Sequence, residues 1–470
     1  MISKQVTKNF LFLFLSNVIG QLFTLAGFIH LARIVGAEGF GRFSFAQVVA
    51  LFFLYLADFG LQTLGTRAVA QKSEAISKYV WEVTILRAVL AGGCFLLLVV
   101  SSFVFPPFRE VRSLIIIFGF ALFPSAVLFE WVFQGLEQME YVALGRVLKG
   151  IVFAGLVFVF VHTSEHLKDA ALFYVTGIAV AAALLIRVYF RKYGLVWGKM
   201  DRVELKHTLV AAVPLAAGSF ITQVNYNFGT IALGLFLTNK DVGLFSAAYK
   251  IVLFLLAFAA VAAANAVFPL MARSYKKSMT LFSHSLKNLL RVFVLVAIPV
   301  GIGGCILAPR IMGFLYSPEY QEGIIVLQLS IWMVVIVIYR MIFENVLIAA
   351  HNQRNYLVGY MLAGALTILG NLLLVPVLGL VAPAMVGIFS ESALLVYFVT
   401  SCKFVRFSYV LRVTVKPLLA GSIMGLALWI LPLSLFVLVA VGIVTYFALL
   451  LVFRALTVEE VTAYVHSLVR

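Results

Sequence analysis

The chain is poor in charge. Asp, Glu, Lys and Arg make up only 11% of its 470 residues, where a soluble domain carries about 25%. Apolar residues reach 63% with a mean hydropathy of +1.09, against a usual share of about 45–50%. So much apolar surface cannot be hidden inside a soluble domain of this length, and a polytopic membrane protein is expected. Cysteine is equally scarce. Cys94, Cys305 and Cys402 lie far apart, each in or beside an apolar run, which excludes a disulfide framework or a cysteine metal site. Histidines occur singly, so no metal ion and no cofactor is expected. Enzyme fingerprints are missing too. The segments Gly36-Ala-Glu-Gly-Phe-Gly41 and Gly301-Ile-Gly-Gly304 fit neither a Walker loop nor a dinucleotide fingerprint. Asp58-Phe59-Gly60 lacks the His-Arg-Asp segment that would make it part of a kinase. Acid is the scarcer sign, with 19 Asp and Glu against 35 Lys and Arg. In a membrane chain that excess points to basic cytoplasmic loops and not to a nucleic-acid partner.

What is present is a series of apolar runs long enough to cross a bilayer as helices. Six lie at about 10–34, 40–62, 79–105, 112–134, 141–162 and 168–190. Eight more lie at about 208–237, 241–271, 283–308, 321–349, 353–376, 380–401, 413–431 and 433–453. The first is too long for a signal-peptide core and is expected to remain as span 1. Placing both termini in the cytoplasm puts most of the Lys and Arg on the inner side, including the run Arg191, Lys192, Lys199, Arg202 and Lys206. The expected location is the cytoplasmic (inner) membrane.

The sequence repeats itself. Gly41-Arg-Phe-Ser-Phe-Ala46 returns as Gly243-Leu-Phe-Ser-Ala-Ala248, 202 positions later. At the same offset Gln21 meets Gln223, Gly27 meets Gly229 and Leu31 meets Leu233. With small insertions, Ile85-Leu-Arg87 pairs with Leu289-Leu-Arg291, and Phe129-Glu130 with Phe343-Glu344. Six spans per copy is an even number, so both copies run the same way through the membrane. The expected fold is therefore an all-α polytopic membrane protein of about 14 transmembrane helices. Two six-helix lobes, 1–192 and 208–402, would be related by a pseudo-two-fold axis along the membrane normal. A basic cytoplasmic linker at 193–207 would join them, and 403–470 would add two helices and a short tail. Paired repeats of this kind place a substrate path between them and alternate its exposure by rocking.

Polar residues inside the spans mark candidate sites. Asn17, Gln21 and Thr24 share one helical face in span 1, and Ser219, Gln223 and Tyr226 do so in span 7. Such a stripe lines a wet cavity or makes interhelical hydrogen bonds worth on the order of 1 kcal/mol each. Asn225 and Asn227 lie on the same span. The ionisable residues in or near spans are Asp58, Glu82, Arg87, Glu130, Lys250, Arg291, Arg340, Glu344 and Glu391. Arg87 and Arg291 lie roughly 12 Å inside their helix starts. From there they either snorkel to headgroups or wall a cavity for a diphosphate. Glu130 and Glu344 hold equivalent places and are candidates for reversible protonation, although Arg340 is an i, i+4 partner for Glu344. Lys250 has no partner one turn away, which suggests substrate contact. Asp58 reads either as a helix-end carboxylate beside a glycine bend or as a cytoplasmic gate pairing with the other lobe. Arg340 and Glu391 join the ion-coupling or gating candidates.

The runs ARIVGAEGFGRFSFA, LADFGLQTLGTRAVA, EWVFQGLEQMEY, VGLFSAAYKI and ILAPRIMGFLYSPEY resemble the polysaccharide-exporter family, the Wzx-type oligosaccharide flippases. These share a superfamily with the MATE multidrug exporters and the lipid II flippases. The resemblance covers about residues 5 to 400. It implies a V of two lobes around a cationic cavity. It also implies movement of a polyprenyl-diphosphate-linked oligosaccharide from the inner to the outer leaflet, driven by an ion gradient. Arg87 and Arg291 would then be cavity cations, and Arg146 matches an Arg common after the EWVFQG segment. Many relatives carry an acid midway along span 7, where this chain has Asn225 and Asn227. The implied partners are the lipid-linked oligosaccharide, membrane lipids, a polysaccharide polymerase and glycosyltransferases, with the chain itself a monomer. The competing functions are a cation-coupled multidrug exporter and a membrane enzyme of polysaccharide assembly. The short outer loops argue against the enzyme.

Overall fold

The computed structural model describes residues 4–71, 76–194, 202–263, 267–402, 404 and 407–456. Residues 195–201 of the expected linker and the tail after 456 lie outside them. The described chain is helical throughout. In order run α1 (Lys4–Asp58), α2 (Leu61–Gln71), α3 (Ile76–Val104), α4 (Arg112–Gly119), α5 (Leu122–Ala126), α6 (Glu130–Gly135), α7 (Met139–Phe160) and α8 (Leu167–Tyr193). Then follow α9 (Arg202–Phe236), α10 (Asn239–Ala262), α11 (Phe268–Lys277), α12 (Met279–Leu315), α13 (Ile324–Ala349), α14 (Gln353–Leu378), α15 (Ala382–Cys402), α16 (Phe407–Ile430) and α17 (Leu435–Val452).

Twelve helical segments are long and apolar enough to cross a membrane. Two of them, Ser16–Asp58 and Gln353–Cys402, run to 43 and 50 residues, about twice the ~20 residues one crossing needs. Each holds two crossings. The first is broken at Gly36, whose φ of 71° is a conformation only glycine adopts freely. The second turns at Gly379, with φ 62°. The count is thus fourteen among the described residues, as the apolar runs predict.

Span 4 differs from its expected form. The run at 112–134 reads as one helix, yet it is built from α4, α5 and α6 in succession. Phe120 and Ala121 bond three residues back, to Ile117 and Phe118. Pro124 has no N–H to offer the carbonyl of Phe120. Val127 and Phe129 then leave helical geometry at ψ 11° and 24°.

The chain divides into two compact units. One comprises Met1–Phe254 with Gly364–Pro383, and the other Leu255–Ala363 with Ala384–Arg470. In the first, the core gathers Leu61, Trp131, Phe133, Val142, Leu185 and Tyr189, all buried. The short helix α2 folds onto α6 there. A Cβ on Gly65 would fall 2.5 Å from the Trp131 ring, and Thr66 donates to the Trp131 carbonyl at 3.2 Å. In the same unit, α1 after its break meets the start of α10 through two glycines. A Cβ on Gly41 would strike the carbonyl oxygen of Asn239 and lie 2.9 Å from the nitrogen of Gly243. A Cβ on Gly243 would strike the carbonyl oxygen of Ala37 and lie 3.0 Å from the nitrogen of Gly41. The two residues that the repeat equates thus touch reciprocally, backbone to backbone.

In the second unit the core gathers Leu295, Met424, Leu428, Leu438, Tyr446 and Leu450. Helix α12 grips both C-terminal helices by their carbonyl ends. Arg310 donates to the carbonyls of Leu431 and Leu433 at 3.3 and 2.8 Å, just past α16. Arg291 donates twice to the carbonyl of Ala455, at 2.6 and 3.2 Å, just past α17. Cations at helix C-termini satisfy orphan carbonyls and oppose the helix dipole.

Candidate functional site

The first unit contains a cavity of about 640 Å³. Its walls come from α1, α2, α6, α7, α8, α9 and α10. The stripe on α1 faces it, with Asn17, Gln21 and Thr24 all among the lining residues. So does the stripe on α9, through Gln223, Tyr226 and Asn227. Asn227 donates to the side-chain oxygen of Gln223 at 2.9 Å, one turn back. Glycines bring α7 close enough to complete the wall. A Cβ on Gly20 would lie 2.8 Å from the Arg146 carbonyl oxygen, and one on Gly150 would strike the Gly20 carbonyl.

Three cations line this cavity with a single carboxylate. Arg146 donates to Glu130 at 3.0 Å and to the Asn17 side-chain oxygen at 3.0 Å. Lys149, one turn on, has its ammonium 5.3 Å from the Tyr174 ring centre. Lys250 donates to Gln47 at 3.0 Å and sits 3.8 Å over the Phe28 ring and 5.8 Å from Phe40. The partners of the Lys250 ammonium are thus an amide and ring faces, with no carboxylate among them. With Glu130 answering Arg146, Lys149 and Lys250 are left with no further carboxylate in the lining. Amide and phenol groups from Gln21, Gln47, Gln62, Gln223, Asn227, Tyr55 and Tyr226 surround them. Such a surface suits a polyanion attached to hydroxyl-rich groups.

A smaller cavity of about 230 Å³ adjoins it and shares Gln47, Tyr55, Gln62, Lys149 and Tyr174. Asp58 and Arg87 line it. Arg87 is 5% exposed, so it walls the cavity and does not snorkel. Its guanidinium lies 3.2 Å from Asp58 and donates to the Ser125 carbonyl at 2.8 Å. That carbonyl sits where span 4 breaks, and within the chain it accepts from Leu128, three residues on, at 3.3 Å. The Nε and Nη1 nitrogens of Arg87 have no hydrogen-bond partner among the described residues. Asp58 is thereby engaged by a neighbour of its own unit, at the end of α1 where Phe59 and Gly60 turn to φ 49° and 72°.

The remaining candidates fall elsewhere. In the second unit Arg340, 1% exposed, donates to Glu391 at 2.6 Å, to Glu344 at 2.5 Å and to the Tyr360 hydroxyl at 2.6 Å. The i, i+4 pair legible on α13 is therefore half of a buried cluster completed by α14 and α15. Arg291 lines neither cavity; it is the clamp on Ala455. Asn225 lines neither cavity either. Its amide is buried without a partner among the described residues, beside Gly364.

Sequence reasoning missed Lys149, Gln47 and Gln62 as wall residues. The signal for Lys149 was its place three residues after Arg146, on one helical face. The two glutamines sat inside apolar runs, where an uncharged amide stands out little.

Fold and cavity together define an all-α polytopic membrane protein with a polar, cation-rich chamber in its helical core. Residues 6–275 match the family model described as polysaccharide biosynthesis protein. The chain belongs to this family. Two relatives described as O-antigen transporters are similar to it. The one from Shigella dysenteriae is 30% identical over 258 residues, covering 52% of this chain and 62% of that relative. The one from Escherichia coli K12 is 24% identical over 184 residues, covering 38% and 44%. The chain thus spans less than two thirds of either. Among solved structures, the lipid II flippase MurJ in an inward closed conformation superposes with a TM-score of 0.80 at 12% identity. It covers 94% of this chain and 98% of that one, a likeness of fold.

Proposed function

We propose that this chain is a flippase for a polyprenyl-diphosphate-linked oligosaccharide. It carries that lipid from the inner to the outer leaflet of the cytoplasmic membrane for surface polysaccharide assembly. The observation that carries the reading is the cavity of the first unit, with Arg146, Lys149 and Lys250 set among amides. Cations bind diphosphate oxygens through charge-assisted hydrogen bonds, and the amides suit sugar hydroxyls. The relatives described as O-antigen transporters support the same class. Transport is non-enzymatic. It proceeds by alternating access of the two six-helix repeats, 1–192 and 208–402, with both termini in the cytoplasm as the basic loops require. Asp58, Glu130, Arg340, Glu344 and Glu391 are the candidates for gating or ion coupling. The scarcity of carboxylates in the cavity lining, with Glu130 already answering Arg146, disfavours the multidrug reading, since cationic drugs need acidic walls.

The test is purified protein in liposomes loaded with the lipid-linked oligosaccharide on one leaflet. Movement of intact substrate to the other leaflet is the expected outcome. Polymerised product would favour an enzyme, and export of cationic dyes without lipid movement would favour a drug exporter.

A further inference from the structure

The outer surface of the second unit carries an unbalanced charge that the cavity does not explain. No acidic residue occurs between Asp241 and Glu319. Helix α11 lies in the middle of that interval and is amphipathic. Met271 and Ser274 are buried, while Arg273, Lys276 and Lys277 are exposed on the opposite face. None of these three has an ion pair among the described residues. Exposed apolar side chains flank the cationic stripe on both sides, Phe268 at 39% and Leu270 at 42%. By helical rotation they lie at either edge of the stripe.

The position of α11 fixes what it can meet. It joins α10, which crosses the membrane, to α12, which does the same. At 37 residues α12 is roughly 55 Å long, well beyond the ~30 Å hydrocarbon layer. The excess leaves part of α12 outside that layer, and its first turns, with Lys287 exposed over Tyr409, form the end that follows α11. A soluble polyanion would meet the cations and leave Phe268 and Leu270 in water. A bilayer surface accommodates both, phosphates against the cations and the apolar edge at the acyl boundary.

We propose that α11 with Lys287 forms a headgroup site for anionic phospholipid, committed to lipid over soluble phosphoryl ligands. Arg273, Lys276, Lys277 and Lys287 have no ion-paired carboxylate among the described residues, and such cations favour an anionic headgroup over a zwitterionic one by about fivefold per cation.

The experiment titrates the purified full chain with phosphatidylglycerol or phosphatidylcholine of equal chain length and counts lipid-bound species by native mass spectrometry. The unaltered chain is expected to prefer phosphatidylglycerol. The variant R273Q/K276Q/K277Q is expected to lose most of that preference, and K276R/K277R to keep it. A control removing Arg109 and Lys168, exposed cations beside Glu110 and Asp169, is expected to change nothing. Equal binding of both lipids by the unaltered chain overturns the proposal. So does a preference that survives the triple substitution, or displacement of the lipid by millimolar glycerol phosphate. The charge-preserving variant separates misfolding from loss of charge.

Discussion

Asp58 and Arg87 form a buried pair 3.2 Å apart, with side chains 16% and 6% exposed. Removing one member of such a pair leaves a charge without its counterion, at about 3–5 kcal/mol, while removing both recovers much of the loss. Asp58→Asn and Arg87→Met are each expected to lower the thermal midpoint of the purified protein by several degrees. The double variant should sit above both singles. Additive losses would mean that the Ser125 carbonyl, and not Asp58, is the partner that matters.

Lys250 tests the cavity separately from the fold. Its partners are an amide and two rings, so Lys250→Gln strands no carboxylate. The thermal midpoint should move little. Affinity for a polyprenyl-diphosphate-linked sugar should fall about tenfold or more, the order of a charge-assisted hydrogen bond. Equilibrium binding with radiolabelled lipid is the measurement. Undiminished affinity would take Lys250 out of the substrate site.

The Arg340 cluster is expected to behave as structure first. Arg340→Gln leaves Glu344 and Glu391 facing each other without a cation and should destabilise by about 3–5 kcal/mol. Tyr360→Phe removes one hydrogen bond and should lower stability by about 0.5–1.5 kcal/mol. Thermal denaturation in detergent gives the ranking, and a Tyr360→Phe effect larger than that of Arg340→Gln contradicts it.

The α12 clamps predict a local effect. Arg291→Ala releases the Ala455 carbonyl past α17, and Arg310→Ala releases the Leu431 and Leu433 carbonyls past α16. Each should raise the rate of proteolysis around residues 430–456 several-fold while leaving cleavage in the first unit unchanged. Uniform acceleration along the chain would show that these contacts hold more than the pair.

Run length and apolarity sufficed for the number of crossings, because a bilayer leaves helices few alternatives. Local breaks were legible where glycine was needed, as at Gly36 and Gly60. The division of span 4 was not, since Pro124 alone does not mark two interruptions. Pairings within one helix could be read, as Arg340 with Glu344 could. Pairings across helices could not. Glu391 lies 51 positions from Arg340, and Arg87 meets Asp58 only because α3 packs on α1. Arg291 carries the same lesson. Its equivalence to Arg87 in the repeat suggested a shared cavity role, yet helices with no counterpart in the repeat supplied Ala455 as its partner.

The reciprocal contact of Gly41 and Gly243 has a consequence for mutation. A Cβ on Gly41 meets the Asn239 carbonyl and one on Gly243 meets the Ala37 carbonyl, so neither position can acquire a side chain while the other helix keeps its place. What blocks each glycine is backbone, which no change of side chain can remove. A substitution at one therefore has no compensating substitution at the other, and only a shift of the whole helix would accommodate it.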